Sequence, residues 1–261
     1  MVKRFLAVVV CFLLSVPVFA AEISFDELKN NLSKTCVEPM AKDIGSVLAG
    51  NMFRSGTSIG THFKWVPGIQ VGVAVAGSLK PREDNVILQQ GFGSATEPKD
   101  AIFGLPFAQV GLGLPFGIDV VVRGAPEMQE IKLMGVGLKK TIIERGFASV
   151  KIGLSAMYSH NRLEYTSFKA ETNSFTGIFS VKVPLVEPYI GVAIDKTSLE
   201  TEFTPTELMT ASNPVNIDVT TTDPRYVAGL NFYTVPLTYI NIAGTYLGDH
   251  MGVDVGVGLK F

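Results

Sequence analysis

The side chains with the widest chemical range in this chain are three histidines, and their neighbours decide what each could do. A hydrolytic centre needs a His within reach of a Ser and an acid, so that the base can activate the nucleophile. His160 stands beside Ser159 in "YSHNRLEY", His250 follows Asp249 in "GDHMG", and His62 lies far upstream in "THFKW". None of these neighbourhoods reproduces a lipase-like or protease-like constellation. They are read as polar residues of surface loops and a linker, and no enzymatic activity is expected. Glu200, Glu202, Glu207 and Asp218 could gather around a divalent cation, but their spacing matches no calcium loop. No metal or other cofactor is expected. Cys11 and Cys36 are the two cysteines, and Cys11 falls in the N-terminal apolar run, which leaves Cys36 without an internal disulfide partner. A formal net charge of -2 gives no basic footprint for nucleic acid.

With no catalytic constellation to position, the elements themselves carry the information. The chain closes on "MGVDVGVGLKF", in which Met251, Val253, Val255, Val257, Leu259 and Phe261 alternate with Gly252, Asp254, Gly256, Gly258 and Lys260. A period of two puts all six apolar side chains on one face of an extended strand. A soluble sandwich would carry larger polar residues on the other face, whereas here that face is mostly glycine. Such a strand suits a wall with lipid outside and a crowded or wet lumen inside. Composition agrees: there are 26 glycines, and mean hydropathy is positive at +0.31. No apolar run after the N-terminal one is long enough for a membrane helix.

At the N-terminus, Lys3 and Arg4 precede the apolar run "FLAVVVCFLLSVPVF", which ends in the small residues Ala20 and Ala21. This is the pattern of a secretory signal peptide over residues 1–21. Ser24 and Glu27 then have capping-box spacing, followed by Leu28, Leu32 and Cys36 on one helical face. Pro39 is tolerated at the start of a second helix, whose stripe is Met40, Ile44, Val47 and Leu48. The expectation is two short amphipathic helices with a break near Pro39, and then a Gly, Ser and Pro punctuated linker. Residues 22–66 thus form a helical plug and linker ahead of a barrel over residues 67–261.

Ten strand candidates follow from Gly68 onward, each with an outward apolar phase. Examples are Ile69, Val71, Val73 and Val75; Val150, Ile152, Leu154, Ala156 and Tyr158; and Ile190, Val192 and Ile194. In "EIKLMGVGLKK" the phase is ambiguous, with Met134, Val136 and Leu138 the outward choice. Connections after odd-numbered candidates run over residues 79–105, 124–129, 160–174, 196–218 and 248–250. Those after even-numbered candidates are the short turns 115–117, 140–146, 184–188 and 234–237. Sorting of long loops and short turns by parity is what a membrane barrel requires. Aromatic residues fall at strand ends on the outward phase: Tyr158, Phe175, Tyr226 and Tyr246 on one side, Phe116, Phe232 and Phe261 on the other, with Trp65 just ahead of the first strand.

On the signal peptide, the alternating strands and the terminal "VDVGVGLKF", the chain resembles bacterial outer-membrane β-barrel proteins. The resemblance implies an all-β, antiparallel transmembrane barrel of about ten strands with an N-terminal α-helical segment, placed in outer-membrane lipid. It also implies that Phe261 is the assembly signal read by the barrel-assembly machinery. More loosely, a helical piece ahead of a barrel resembles hydrophobic-compound channels of the long-chain fatty-acid transporter type.

Parity assigns Gln70, Gly72, Gln109, Gly111, Asp119, Arg123, Lys151, Gly153, Lys182, Asp195 and Asp254 to the lumen lining. So many small inward residues leave space that another backbone must fill. The apolar stripe of Leu32, Met40, Ile44 and Leu48 is the candidate occupant, entering at the periplasmic mouth. Two functions are expected on this basis. The first is a plugged channel or carrier for small hydrophobic molecules. The alternative is a non-transport structural or adhesion barrel acting through its long extracellular loops.

Overall fold

The computed structural model describes residues 34–50, 52–62, 66–79, 103–125, 131–165, 168–203, 215–233, 237–247 and 250–261. The signal peptide, the stretch containing Leu32, Trp65, Glu207 and the turn residues 234–236 lie outside the described residues, as does the side chain of Cys36. The element order is one helix, α1 (Lys34–Ala49), a two-residue strand β1 (Thr61–His62), and ten wall strands. The wall consists of β2 (Val66–Ser78), β3 (Phe103–Leu114), β4 (Ile118–Gly124), β5 (Lys132–Phe147), β6 (Val150–Tyr165), β7 (Phe168–Lys182), β8 (Val186–Phe203), β9 (Val215–Phe232), β10 (Thr238–Tyr246) and β11 (Met251–Lys260). Each strand pairs antiparallel with its neighbour in sequence, and β2 pairs with both β3 and β11. The sheet is therefore closed, and closure leaves no wall edge to be satisfied in lipid.

Alternation fixes which face is out. Val71, Val73, Val110, Met134, Val136, Leu138, Phe175, Ile190, Val192 and Ile194 are exposed, and their sequence neighbours Gly72, Gln109, Gly135, Gly137, Ser174, Gly191 and Ala193 are buried. An apolar outer surface over a polar, glycine-rich inner one is stable only where lipid replaces water outside. The exposed aromatics fall toward the two ends of the wall, but Tyr158, Phe175 and Tyr226 lie within their strands and not at the strand ends expected from sequence. Tyr158 pairs with Phe175 and Tyr226 with Tyr246 toward the long connections, while Phe116 and Phe261 stand at the short-turn end.

Several boundaries differ from the reading of the sequence. Residues 160–174 are almost entirely strand, with β6 running to Tyr165 and β7 starting at Phe168, and β8 and β9 extend to Phe203 and from Val215. The apolar alternation stops there, but pairing continues through polar partners: Thr172 with Thr197, Ser198 with Thr220, and an ion-pair chain of Arg162, Glu171, Lys169 and Glu200. At the opposite end, β5 does not turn at 140–146. A bulge between Thr141 and Ile143 carries the strand on to Phe147, and the turn is Ala148–Ser149. Helix α1 is one piece with Pro39 inside it, so the break expected near Pro39 is absent. A proline near the helix start removes a single backbone donor, and burial of the surrounding Val37, Met40 and Ala41 outweighs that loss.

Candidate functional site in the barrel lumen

The inner wall is built from alternate residues of all ten strands, and residues 34–60 pass through the space it encloses. The helix lies in the half of the lumen nearest the long connections. Val37, Met40, Ala41, Ile44, Val47 and Leu48 form one apolar cluster with Leu105, Phe107, Leu133, Leu163, Ala170, Leu199, Ile217 and Val219 of the wall. Ile44 and Leu48 are fully buried, and each such side chain contributes about 1.5 to 3 kcal/mol to holding the helix there. Gly45 abuts Thr197, where any side chain would collide with β8. The helix ends on Arg123. Its guanidinium donates to the Leu48 and Gly50 carbonyls, its Nε donates to Asn161 Oδ1 at 2.9 Å, and it sits 4.4 Å from the Phe107 ring centre. A cation receiving the last carbonyls of a helix satisfies its unpaired acceptors and its negative dipole end together.

Below Arg123 the chain is irregular, and its backbone groups are met by side chains of the wall. Asn231 donates to the Arg54 carbonyl at 2.6 Å, and Arg54 in turn donates to the Tyr239 hydroxyl at 3.0 Å. Gly56 N–H donates to Ser180 Oγ at 2.9 Å, and Ser155 Oγ donates to the Gly56 carbonyl at 2.6 Å. The Lys139 ammonium donates to the Thr57 carbonyl at 2.7 Å and pairs with Asp119 at the same distance. Asp119 also accepts from Ile59 N–H at 3.0 Å and from Ser58 Oγ at 2.8 Å. The Glu187 carboxylate accepts from Ser55, from Ser180 at 2.8 Å and from Tyr233 at 2.6 Å. Tyr233 lies past the end of β9. Burial first, and then the Glu187 charge, hold its phenol above the ordinary range, so it stays a donor. Asp119, Lys139 and Glu187 are each paired or hydrogen-bonded to the segment, as burial of charge requires.

The glycines of the wall lie where the segment passes closest. A Cβ on Gly153 would stand 2.5 Å from the Gly56 carbonyl carbon and oxygen, and one on Gly113 would collide with the Gly60 backbone. One on Gly137 would meet Phe53 at 2.6 Å. A bulkier wall would leave no room for the chain.

Of the residues assigned to the lumen from parity, Gly72, Gln109, Gly111, Asp119, Arg123, Gly153, Asp195 and Asp254 are buried in it, and Gln70 is half-buried beside a cavity shared with Arg54 and Tyr239. Gly72 faces the Tyr239 hydroxyl, Gly111 faces Ile59, and Asp195 pairs with Arg225 at 2.6 Å. Lys182 is half-buried at the short-turn end, 4.2 Å over the Tyr233 ring. Lys151 is not in the lumen. It is on the inward phase, but the β5–β6 hairpin projects past the wall, and the ammonium is exposed 4.0 Å from Glu144. Met40, Ile44 and Leu48 are inside, in the long-connection half rather than at the opposite mouth. Leu32 lies outside the described residues.

His250 lies in the connection just ahead of β11, as expected, but it is not a surface residue. It is buried against Ser78 Oγ, with Asp43 of the helix 4.0 Å from the same ring nitrogen. His160 is half-buried on β6 against Asn173. Glu200 and Asp218 face each other on paired strands, and among the described residues no three acids, His or Cys gather as metal ligands. Lys139, Glu187, Asn231, Arg225 and Arg54 were not picked out from the sequence. Lys139 and Asn231 carry the inward parity that could have found them. Glu187 falls in a stretch read as a turn, and Arg54 in one read as a linker.

Fold and lumen together define a transmembrane β-barrel whose interior is occupied by its own N-terminal segment. The chain belongs to DUF6588, a family of unknown function, whose model matches residues 75–261. The match covers the wall from the last residues of β2 onward and does not include the lumen segment. No curated protein matches the sequence. Among solved structures, the chain is similar to the N-terminal β-barrel domain of OprF from Pseudomonas aeruginosa, at 10% identity over 74% of this chain and 97% of that one, TM-score 0.33. It is also similar to Neisserial surface protein A, at 11% identity, with 75% and 97% covered and TM-score 0.29. A third is Ail, the attachment invasion locus protein of Yersinia pestis, at 12% identity, with 75% and 97% covered and TM-score 0.29. Likeness of this degree says nothing about ligand or activity.

Proposed function

We propose that this is a bacterial outer-membrane barrel that is closed at rest by residues 34–60, and that it acts as a plugged channel for small molecules when the lower part of that segment yields. The carrying observation is the difference between the two halves of the plug. The helix is held by apolar packing, whereas residues 54–59 are held by hydrogen bonds from wall side chains to their backbone. Each neutral bond of this kind is worth about 0.5 to 1.5 kcal/mol net and each one to Lys139 or Asp119 about 1.5 to 3, because water can replace the partner. The irregular half is thus the part that can give way without unfolding the barrel. A path opened there would be lined by Gln70, Asp119, Lys139, Glu187, Asn231 and Lys260. Such a lining favours a small polar solute over the hydrophobic one expected from sequence.

A second reading rests on a separate observation: β6 to β9 extend well past the aromatic residues Tyr158, Phe175 and Tyr226. Strands that continue as a polar, ion-paired sheet beyond the lipid belt support a barrel that presents a surface and transports nothing. A reversible lock separates the readings. Ser58 Oγ lies 2.8 Å from Asp119 Oδ1, which brings one position of the irregular half and one of the wall within side-chain reach of each other. With Cys36→Ser, the pair Ser58→Cys and Asp119→Cys, which ties the irregular half to the wall, should abolish channel openings in planar bilayers under oxidising conditions, and reductant should restore them. Should the unlocked protein show no openings, with swelling assays on small sugars equally silent, the channel reading fails and the presenting barrel stands.

A further inference from the structure

We infer that the barrel carries its own N-terminus across the membrane, so that the chain ahead of Lys34 leaves the lumen on the same side as the long connections. The inference rests on the direction in which the segment runs. Its lower end is fixed at the short turns: Gly60 accepts from Gly68 N–H at 2.9 Å at the start of β2, and Ile59 is held by Asp119, next to the start of β4. Going back along the sequence, Gly56 lies against Gly153 near the start of β6, Gly50 lies against Ala76 and Asp254, and the helix ends on Arg123, one residue before β4 finishes. The direction is then continuous. Gly45 reaches Thr197, and the cluster that takes Val37, Met40 and Ala41 includes Leu163, Ala170, Leu199 and Ile217, all close to the long-connection ends of their strands.

A helix of 16 residues is about 24 Å long, enough to run from the Arg123 level to that rim. Its first residue therefore points away from the short-turn mouth. A plug entering from the short-turn side would need its helix N-terminus beside Gly153 and Asp119, where the structure has residues 56–59. The consequence is functional: the wall and the segment together form a conduit already traversed once by the chain, and a peptide fused ahead of Lys34 would be delivered with it. The expectation that the N-terminal segment is periplasmic is reversed if the long connections face outward.

The test uses the full chain with one small probe at a time. In a Cys36→Ser background, single cysteines replace Asn30, Ser212 or Pro236, and labelling by a membrane-impermeant maleimide is read on intact and on permeabilised cells. Only protein with the heat-modifiable gel mobility of a folded barrel is counted. Position 30 should label in the same preparation as position 212, with position 236 in the opposite one, whichever way the barrel is oriented. Position 30 labelling together with 236, or equally from both sides, would overturn the inference. Neither outcome depends on whether the lumen ever conducts, so the channel reading stands or falls separately.

Discussion

Arg123 and Gly153 show how single side chains place the segment. Arg123 has three acceptors, two on the segment and one on β6, and its own position is set by antiparallel pairing of β4 with Gly135 and Gln109 on either side. Gly153 acts by having no side chain. Its backbone and that of Gly56 are in contact, and each excludes a Cβ on the other by backbone atoms that cannot rotate away. Gly153→Ala should therefore lift residues 54–58 off the wall while leaving strand pairing intact. Arg54 is buried in the folded protein, so trypsin should cut after it in the variant and spare the parent. Equal resistance in both would mean that the contact does not hold the segment. Parity alone places Arg123 and Gly153 on the inner face. What they touch could not be read, because a side chain's partner across a lumen depends on register summed over several strands.

At the scale of elements, the wall strands owe their faces to lipid. Val255 lies in the middle of β11 on the outer phase, opposite Val75 and Ile242. Val255→Arg should cost about 2 to 4 kcal/mol, read as a lower urea midpoint for folding into lipid vesicles. Gly177 offers the control: it is exposed on the outer face of β7 and a Cβ there meets nothing within 4 Å. Gly177→Val should be tolerated or mildly stabilising, since it adds apolar surface to the lipid belt and β-propensity to the strand. Loss of folding in both, or in neither, would contradict the assignment of faces.

The number of strands and their phases were legible because lipid imposes an apolar period of two on every strand it touches. Their ends were not. Beyond the belt the same pairing continues with Thr, Ser, Glu and Lys, which in sequence look like loop composition, as residues 160–174 do. The helix was visible from Met40, Ile44, Val47 and Leu48, but its direction was not, since an amphipathic stripe reads the same from either end. The burial of His250 was illegible for a related reason: nothing local reveals that the helix brings Asp43 to within 4.0 Å of it.

For the whole molecule, a closed wall and a chain lying inside it are complementary surfaces of one fold, with the glycines on the wall and the bulk on the segment. The apolar cluster fills the long-connection half, the polar ladder fills the other, and the two meet at Arg123. Closure of the lumen by residues 34–60 is the property on which this arrangement depends. Its most direct test is single-channel recording in planar bilayers, comparing the mature protein with a version that begins at Thr61, both shown to be folded by heat-modifiable mobility. Removing the segment should turn a silent or rarely opening barrel into one with large, stable conductance steps that persist without voltage gating. Identical conductance in the two proteins would contradict the account, because a lumen that is already open, or one that stays closed without its segment, is not the lumen described by these contacts.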